Sequence, residues 1–110
     1  MKNVFGIFIL LLVFEGYTQT NFFKSFDGTE ITYTDEGFGK AVLLIHGFIG
    51  SGASWEKTPL KKDLLEKGYR VVIPDLRGNG SSGKPQEDRA YQDKAEVKDL
   101  KELMSHLNTK

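Results

Sequence analysis

The sequence predicts an α/β fold: a β-hairpin, then a β-α-β-α run on a mostly parallel sheet. Three observations carry this. Residues 41–45 and 69–73 are short runs rich in Val, Ile and Leu, of strand length. Each is followed by a polar, glycine-bearing loop. After each loop the apolar residues recur at helical spacing. Strands alternating with helices in this way build a parallel sheet covered by helices.

The elements follow in order. Lys2 precedes an apolar run over residues 4–14, after which residues 15–20 turn polar. A bilayer span takes about 20 apolar residues, so residues 1–20 read as a cleaved export signal, with an uncleaved anchor or a buried N-terminal segment as the alternatives. The protein is thus expected to be secreted or periplasmic, with no stable membrane span once the signal is removed. No Cys follows the run, which argues against a lipid-modified N-terminus.

Residues 21–110 are expected to form one folded unit. Residues 22–26 are strand-like, Asp27-Gly28 is a hairpin turn signal, and residues 30–34 alternate polar and apolar. Residues 41–45 form a strand covered on both faces. Ser54 is placed to cap a helix running to about Lys67, with Leu60, Leu64 and Leu65 on one side and lysines on the other. Gly68 ends it. The strand at 69–73 closes at Pro74, a long loop covers 75–90, and a last helix runs from about Tyr91 to Leu107. Val97, Leu100, Leu103, Met104 and Leu107 form its expected buried stripe.

Composition excludes several functions. Lys plus Arg and Asp plus Glu are 15 each, so no basic field draws the chain to nucleic acid. Cysteine is absent, which removes disulfides, thiolate metal sites and Cys nucleophiles together. No cofactor and no metal are expected, and the sequence carries no signal for oligomeric state.

The two loops should hold the function, since ligands bind at the carboxyl ends of strands in such sheets. The first reads His46-Gly47-Phe48-Ile49-Gly50-Ser51-Gly52-Ala53-Ser54-Trp55, and the second Pro74-Asp75-Leu76-Arg77-Gly78-Asn79-Gly80-Ser81-Ser82. A strand ending in His-Gly-aromatic with Ser-Trp soon after, then a strand ending in Asp-x-Arg-Gly-x-Gly-x-Ser, resembles the α/β-hydrolase fold superfamily. The resemblance covers nearly everything after residue 20. It implies the N-terminal part of an α/β-hydrolase sheet, incomplete because the segment carrying the nucleophile is not included.

That resemblance implies roles. Acyl transfer builds negative charge on a carbonyl oxygen, and backbone N–H groups aimed at it stabilise the intermediate. In this family one such donor comes from the loop after the third strand, which here is the Phe48 N–H. His46 is implied to anchor loops rather than to act as a base, and Gly47 to let the chain turn. Asp75 and Arg77 are implied to form an ion pair that, with loop hydrogen bonds, holds the second loop against the first. Gly78 and Gly80 permit its tight path, and Ser82 bonds local backbone. Trp55 is expected to anchor the first turn of its helix, and His106 to sit at the rim of the last one.

No G-x-S-x-G nucleophile pattern occurs in the sequence. The chain is therefore expected to be a fragment or a truncated product, lacking nucleophile, acid and base and inactive alone. In the complete protein the substrate would be a small ester- or amide-like molecule. Epoxide hydrolases and dehalogenases of the family usually carry Pro after the aromatic, where this chain has Ile49. This tilts the reading toward esterase, lipase or peptidase-like members. Two alternatives stand beside it. One is a dinucleotide-binding βαβ unit, with Gly47, Gly50 and Gly52 opening a helix and Asp75 ending the next strand. The other is a non-enzymatic binding module.

Overall fold

The computed structural model describes residues 19–108. The expected export signal lies almost wholly outside the described residues. Strand β1 is Thr20–Lys24, β2 is Glu30–Glu36 and β3 is Ala41–Leu43. Helix α1, Ala53–Glu56, and helix α2, Pro59–Glu66, lead to β4, Arg70–Pro74. A 3₁₀ turn at Asp88–Tyr91 precedes the last helix, α3, Ala95–Asn108.

The strands form one sheet in the order β1-β2-β4-β3. Among the described residues it is mixed rather than mostly parallel. The β1–β2 hairpin and the β2–β4 pairing are antiparallel, and β3–β4 is parallel, with Val42 opposite Val71. The βαβ unit supplies the parallel pair. The hairpin turns at Asp27-Gly28 as expected, with Gly28 at φ 85, and Ser25 N–H donates to Thr29 O at 2.9 Å.

Strand β4 explains the three layers. Its side chains alternate between faces. Val72 packs with Phe23, Ile31, Tyr33, Leu103 and Leu107 on the α3 side. Val71 and Ile73 pack with Leu44, Trp55, Leu64 and Leu65 on the α1–α2 side. Burying one such aliphatic side chain contributes about 1.5–3 kcal/mol. β3 is less covered than expected: Leu44 is buried, but Val42 and Leu43 are half-buried and Ala41 exposed. It has β4 on one edge only among the described residues.

Several helix expectations are corrected. The single helix over 54–67 is two, broken at Thr58 (φ −105, ψ 156), because the residue before Pro59 is pushed out of helical geometry. Its N-cap is Gly52 rather than Ser54, whose hydroxyl instead donates to Ser51 O at 3.0 Å. Lysines do not all face water. Lys61 is buried, its Nζ 2.6 Å from Glu56 and 2.9 Å from Glu36. Burial acts to lower the Lys61 pKa, but the two carboxylates outweigh it and the net shift is upward. The last helix begins at Ala95, after two residues at positive φ, Asp93 and Lys94. Its buried stripe is Ala95, Asp99, Leu103 and Leu107, while Val97 and Met104 are about half exposed. An i, i+4 stripe follows one face, and Val97 and Met104 fall off it. His106 sits at the rim, its ring stacked on Phe23 at 5.4 Å.

Candidate functional site

The two glycine-rich loops leave the carboxyl ends of the parallel neighbours β3 and β4. Asp75 joins them. Its Oδ1 accepts the Gly52 N–H at 2.7 Å, and its Oδ2 accepts the Ser81 N–H at 2.9 Å and the Thr32 hydroxyl at 3.2 Å. Gly80, at φ 53, passes so close that a Cβ there would collide with this carboxylate. Ser82 ties the same corner to β2: its Oγ donates to Asp75 O at 2.5 Å and accepts the Thr32 N–H at 2.9 Å. Gly78, at φ 82, donates its N–H to Gly83 O at 2.8 Å across the turn.

The ion pair expected between Asp75 and Arg77 is not formed. Arg77 instead meets Asp99 through two bonds of 2.7 Å, Asp27 at 2.9 and 3.1 Å, and the Ala90 carbonyl at 2.6 Å. Asp75 is satisfied by three uncharged donors, whereas Asp99 is buried in the α3 stripe and needs a counter-charge. The Asp99 contact is the main reason the Arg77 pKa lies above its ordinary value. In the sequence Asp99 opens an Asp-Leu-x-x-Leu pattern of the last helix that resembles the family's, but its pairing with Arg77 was not foreseen. The signal was present: an acid at i+4 from Ala95 and i−4 from Leu103, inside an apolar stripe, requires a buried cation.

His46 is buried and bridges the loops. The Leu76 N–H donates to its Nε2 at 3.0 Å, so Nδ1 carries the proton and donates to Gly47 O at 2.7 Å. Gly47 O also accepts the Gly50 N–H at 3.1 Å, which closes a turn over residues 47–50. The Gly47 carbonyl and the Phe48 N–H belong to one planar trans peptide and point in opposite directions. Holding the carbonyl inward against His46 therefore turns the Phe48 N–H outward. That N–H has no acceptor among the described residues, and the Phe48 ring is 96% exposed.

Ile49 stands at φ 54, the third place of the turn. Positive φ there is the type II pattern, which favours Gly or Asn. A left-handed residue with a Cβ costs about 1–2 kcal/mol, and a β-branched one is a backbone outlier. Its side chain is 79% exposed.

Trp55 packs against the Leu44, Val71 and Ile73 cluster, as an anchor of α1 should. A shallow cavity of about 180 Å³ opens beside Asp75, lined by Thr32, Gly52, Glu56 and Ser81, and Phe48 is not on its wall. Among the described residues no group of His, Cys, Asp or Glu side chains is arranged to hold a metal ion.

A family model described as the α/β hydrolase fold matches residues 40–110. The chain belongs to this family. A putative non-heme chloroperoxidase of Synechocystis sp. is 44% identical over 79 residues, covering 72% of this chain and 27% of that protein. Among solved structures, an epoxide hydrolase from Vigna radiata superposes with TM-score 0.75 at 30% identity, covering 83% of this chain and 29% of the other. An esterase from Exiguobacterium antarcticum superposes with TM-score 0.72 at 33% identity, covering 80% and 31%. The chain thus spans roughly a quarter of the length of the chloroperoxidase it matches. Family membership displaces the dinucleotide-binding alternative, and the site shows why in physical terms: the Asp75 carboxylate is taken up by three protein donors and is not offered to a ribose. No helix among the described residues is long and apolar enough to cross a membrane.

Proposed function

We propose that this α/β-hydrolase chain supplies one donor of an oxyanion-binding site for the hydrolysis of small esters, the donor being the Phe48 N–H. The observation that carries the reading is the fixed Gly47–Phe48 peptide, with its carbonyl held by His46 and Gly50 and its N–H directed outward without an acceptor among the described residues. Ile49 in the place of proline and the likeness to an esterase support ester hydrolysis. The likeness to epoxide hydrolases supports epoxide opening as a second reading.

The test is Phe48→Pro in the natural gene product, assayed on a chromogenic acetate ester and on an aryl epoxide. Proline is favoured at the second place of a type II turn, so the loop is kept while the N–H is lost. The reading expects ester turnover, a kcat lower by about 10²–10³ in the variant, an unchanged KM and an unchanged melting temperature. Epoxide turnover without ester turnover selects the second reading. Unaltered kcat in Phe48→Pro removes Phe48 from the site.

The same reading includes export, from Lys2 and the apolar run at 4–14. Mass spectrometry of the exported protein is expected to find a new N-terminus between about residues 16 and 21. An intact Met1 on a cytoplasmic product defeats it.

A further inference from the structure

We infer that the chain associates with a second copy of itself through the outer edge of β1, the two sheets joining antiparallel about a twofold axis at Phe22. The direction of the backbone groups carries the inference. Thr32 gives its N–H to Ser82 Oγ at 2.9 Å and accepts the Asp75 N–H at 2.9 Å, and the Glu30 carbonyl accepts the Gly83 N–H at 2.6 Å. These bonds all run to the β4 side, away from β1. Residues directly opposite in an antiparallel ladder exchange both their bonds or neither, and the two kinds alternate along the strand. Phe22 lies opposite Thr32, Lys24 opposite Glu30 and Thr20 opposite Thr34. The N–H and C=O groups of Thr20, Phe22 and Lys24 therefore point out of the sheet, where β1 has no neighbour among the described strands.

The strand also selects its occupant. Edges are ordinarily blunted by proline, a bulge or charge. β1 holds no proline, its register with β2 runs unbroken from Thr20 to Lys24, and Lys24 is its one charge. Antiparallel pairing of two copies centred on Phe22 sets Thr20 against the other copy's Lys24, and it is the antiparallel register that uses all three outward residues. The two lysines then stand about 14 Å apart along the strands, beyond the screening length of about 8 Å at physiological salt. Parallel pairing in register would set them about 5 Å apart. On the axis Phe22 meets its own copy, an aromatic cross-strand pair that covers a ring now 59% exposed. Charge and hydrogen-bond direction thus fit the strand to itself. A pairing of five residues buries less than the roughly 1,200 Å² of a stable interface, so the dimer is weak and reversible.

The experiment is sedimentation velocity of the natural gene product over a range of concentrations, together with the melting temperature. The wild type is expected to dimerise as concentration rises. Phe22→Lys and Phe22→Glu each set like charges face to face on the axis, and each is expected to lose at least about tenfold in dimer affinity at an unchanged melting temperature. An equimolar mixture of the two is expected to dimerise again, because opposite charges then meet. Phe22→Pro removes an outward N–H and no bond to β2, and it is expected to weaken the dimer as well. A wild type that stays monomeric at millimolar concentration overturns the inference. A dimer that persists in both charge variants, or a mixture that stays monomeric, also overturns it, since position 22 is then not on the axis. A lower melting temperature in both charge variants does the same, because Phe22 would then be packed within the protein.

Discussion

Arg77 and Asp99 form a two-point ion pair in which the Arg77 side chain is 0% exposed and that of Asp99 2% exposed. The Ser25 hydroxyl donates to the same Asp99 Oδ1 at 2.6 Å. Removing one partner of a buried pair leaves the other charge uncompensated. Asp99→Ala is expected to destabilise the protein by about 3–5 kcal/mol, read as a lower urea midpoint followed through Trp55 fluorescence. A midpoint equal to the wild type's contradicts the geometry.

Asp27 adds a pH dependence. Hydrogen bonds from the Arg77 guanidinium hold its carboxyl well below the usual carboxylate range, against a smaller opposing effect of burial. A depressed folded-state pKa makes the contribution fully present above the unfolded value of about 3.9. It fades as pH falls through the folded value. The stability difference between wild type and Asp27→Asn is therefore expected to be constant near neutrality and to shrink progressively below about pH 4. Urea unfolding at a series of pH values measures it, and a gap that widens toward acid refutes the assignment.

Gly52 touches both the core and the site. A Cβ there would lie 2.8 Å from Ile73 Cγ2 and 3.2 Å from Asp75 Oδ1. Overpacking of this kind costs about 1–3 kcal/mol. Gly52→Ala is expected to lower the melting temperature and, by pushing on Asp75, to loosen the link between the two loops. Faster exchange of the Gly52 and Ser81 amide hydrogens is the second readout. Unchanged exchange of both amides contradicts a role for Asp75 in joining the loops.

The open edge of β3 sets the behaviour of residues 21–110 when expressed alone. Val42 and Leu43 are half-buried, and among the described residues the strand pairs with β4 only. An unpaired apolar edge templates pairing with other chains. Self-association is expected in size-exclusion chromatography. A monomer with one sharp unfolding transition shows that this span is a self-sufficient domain.

Much of this was legible in the sequence because the signals were local. Apolar runs marked β3 and β4, Asp27-Gly28 marked the hairpin turn, and the two loop motifs marked the corner around His46 and Asp75. What stayed hidden depended on partners distant in sequence. The place of Asp99 in the α3 stripe calls for a buried cation but does not say that it is Arg77, 22 positions away, and nothing near Lys61 announces Glu36, 25 positions back. The helix break was local and was missed through reading apolar spacing across Pro59, which fixes Thr58 in extended geometry. The positive φ of Ile49 had no sequence signal, because Ile is the wrong residue type for it.

The knot of contacts at Asp99 bears on how the chain reaches this state. Ser25 lies 74 positions from Asp99, and Arg77 reaches both Asp27 and Asp99. The last helix can bury Asp99 only when the hairpin end and the second loop are both already in place. Docking it early would strand a carboxylate in an apolar layer, and docking it on one partner alone would leave part of the network unmet. Partly assembled forms are thus penalised, and the helix is expected to dock after the hairpin end and the second loop. The amide hydrogens around Ile31, in the hairpin, should then become protected before those around Leu103 in the last helix during refolding, although the two residues share a core cluster in the finished fold.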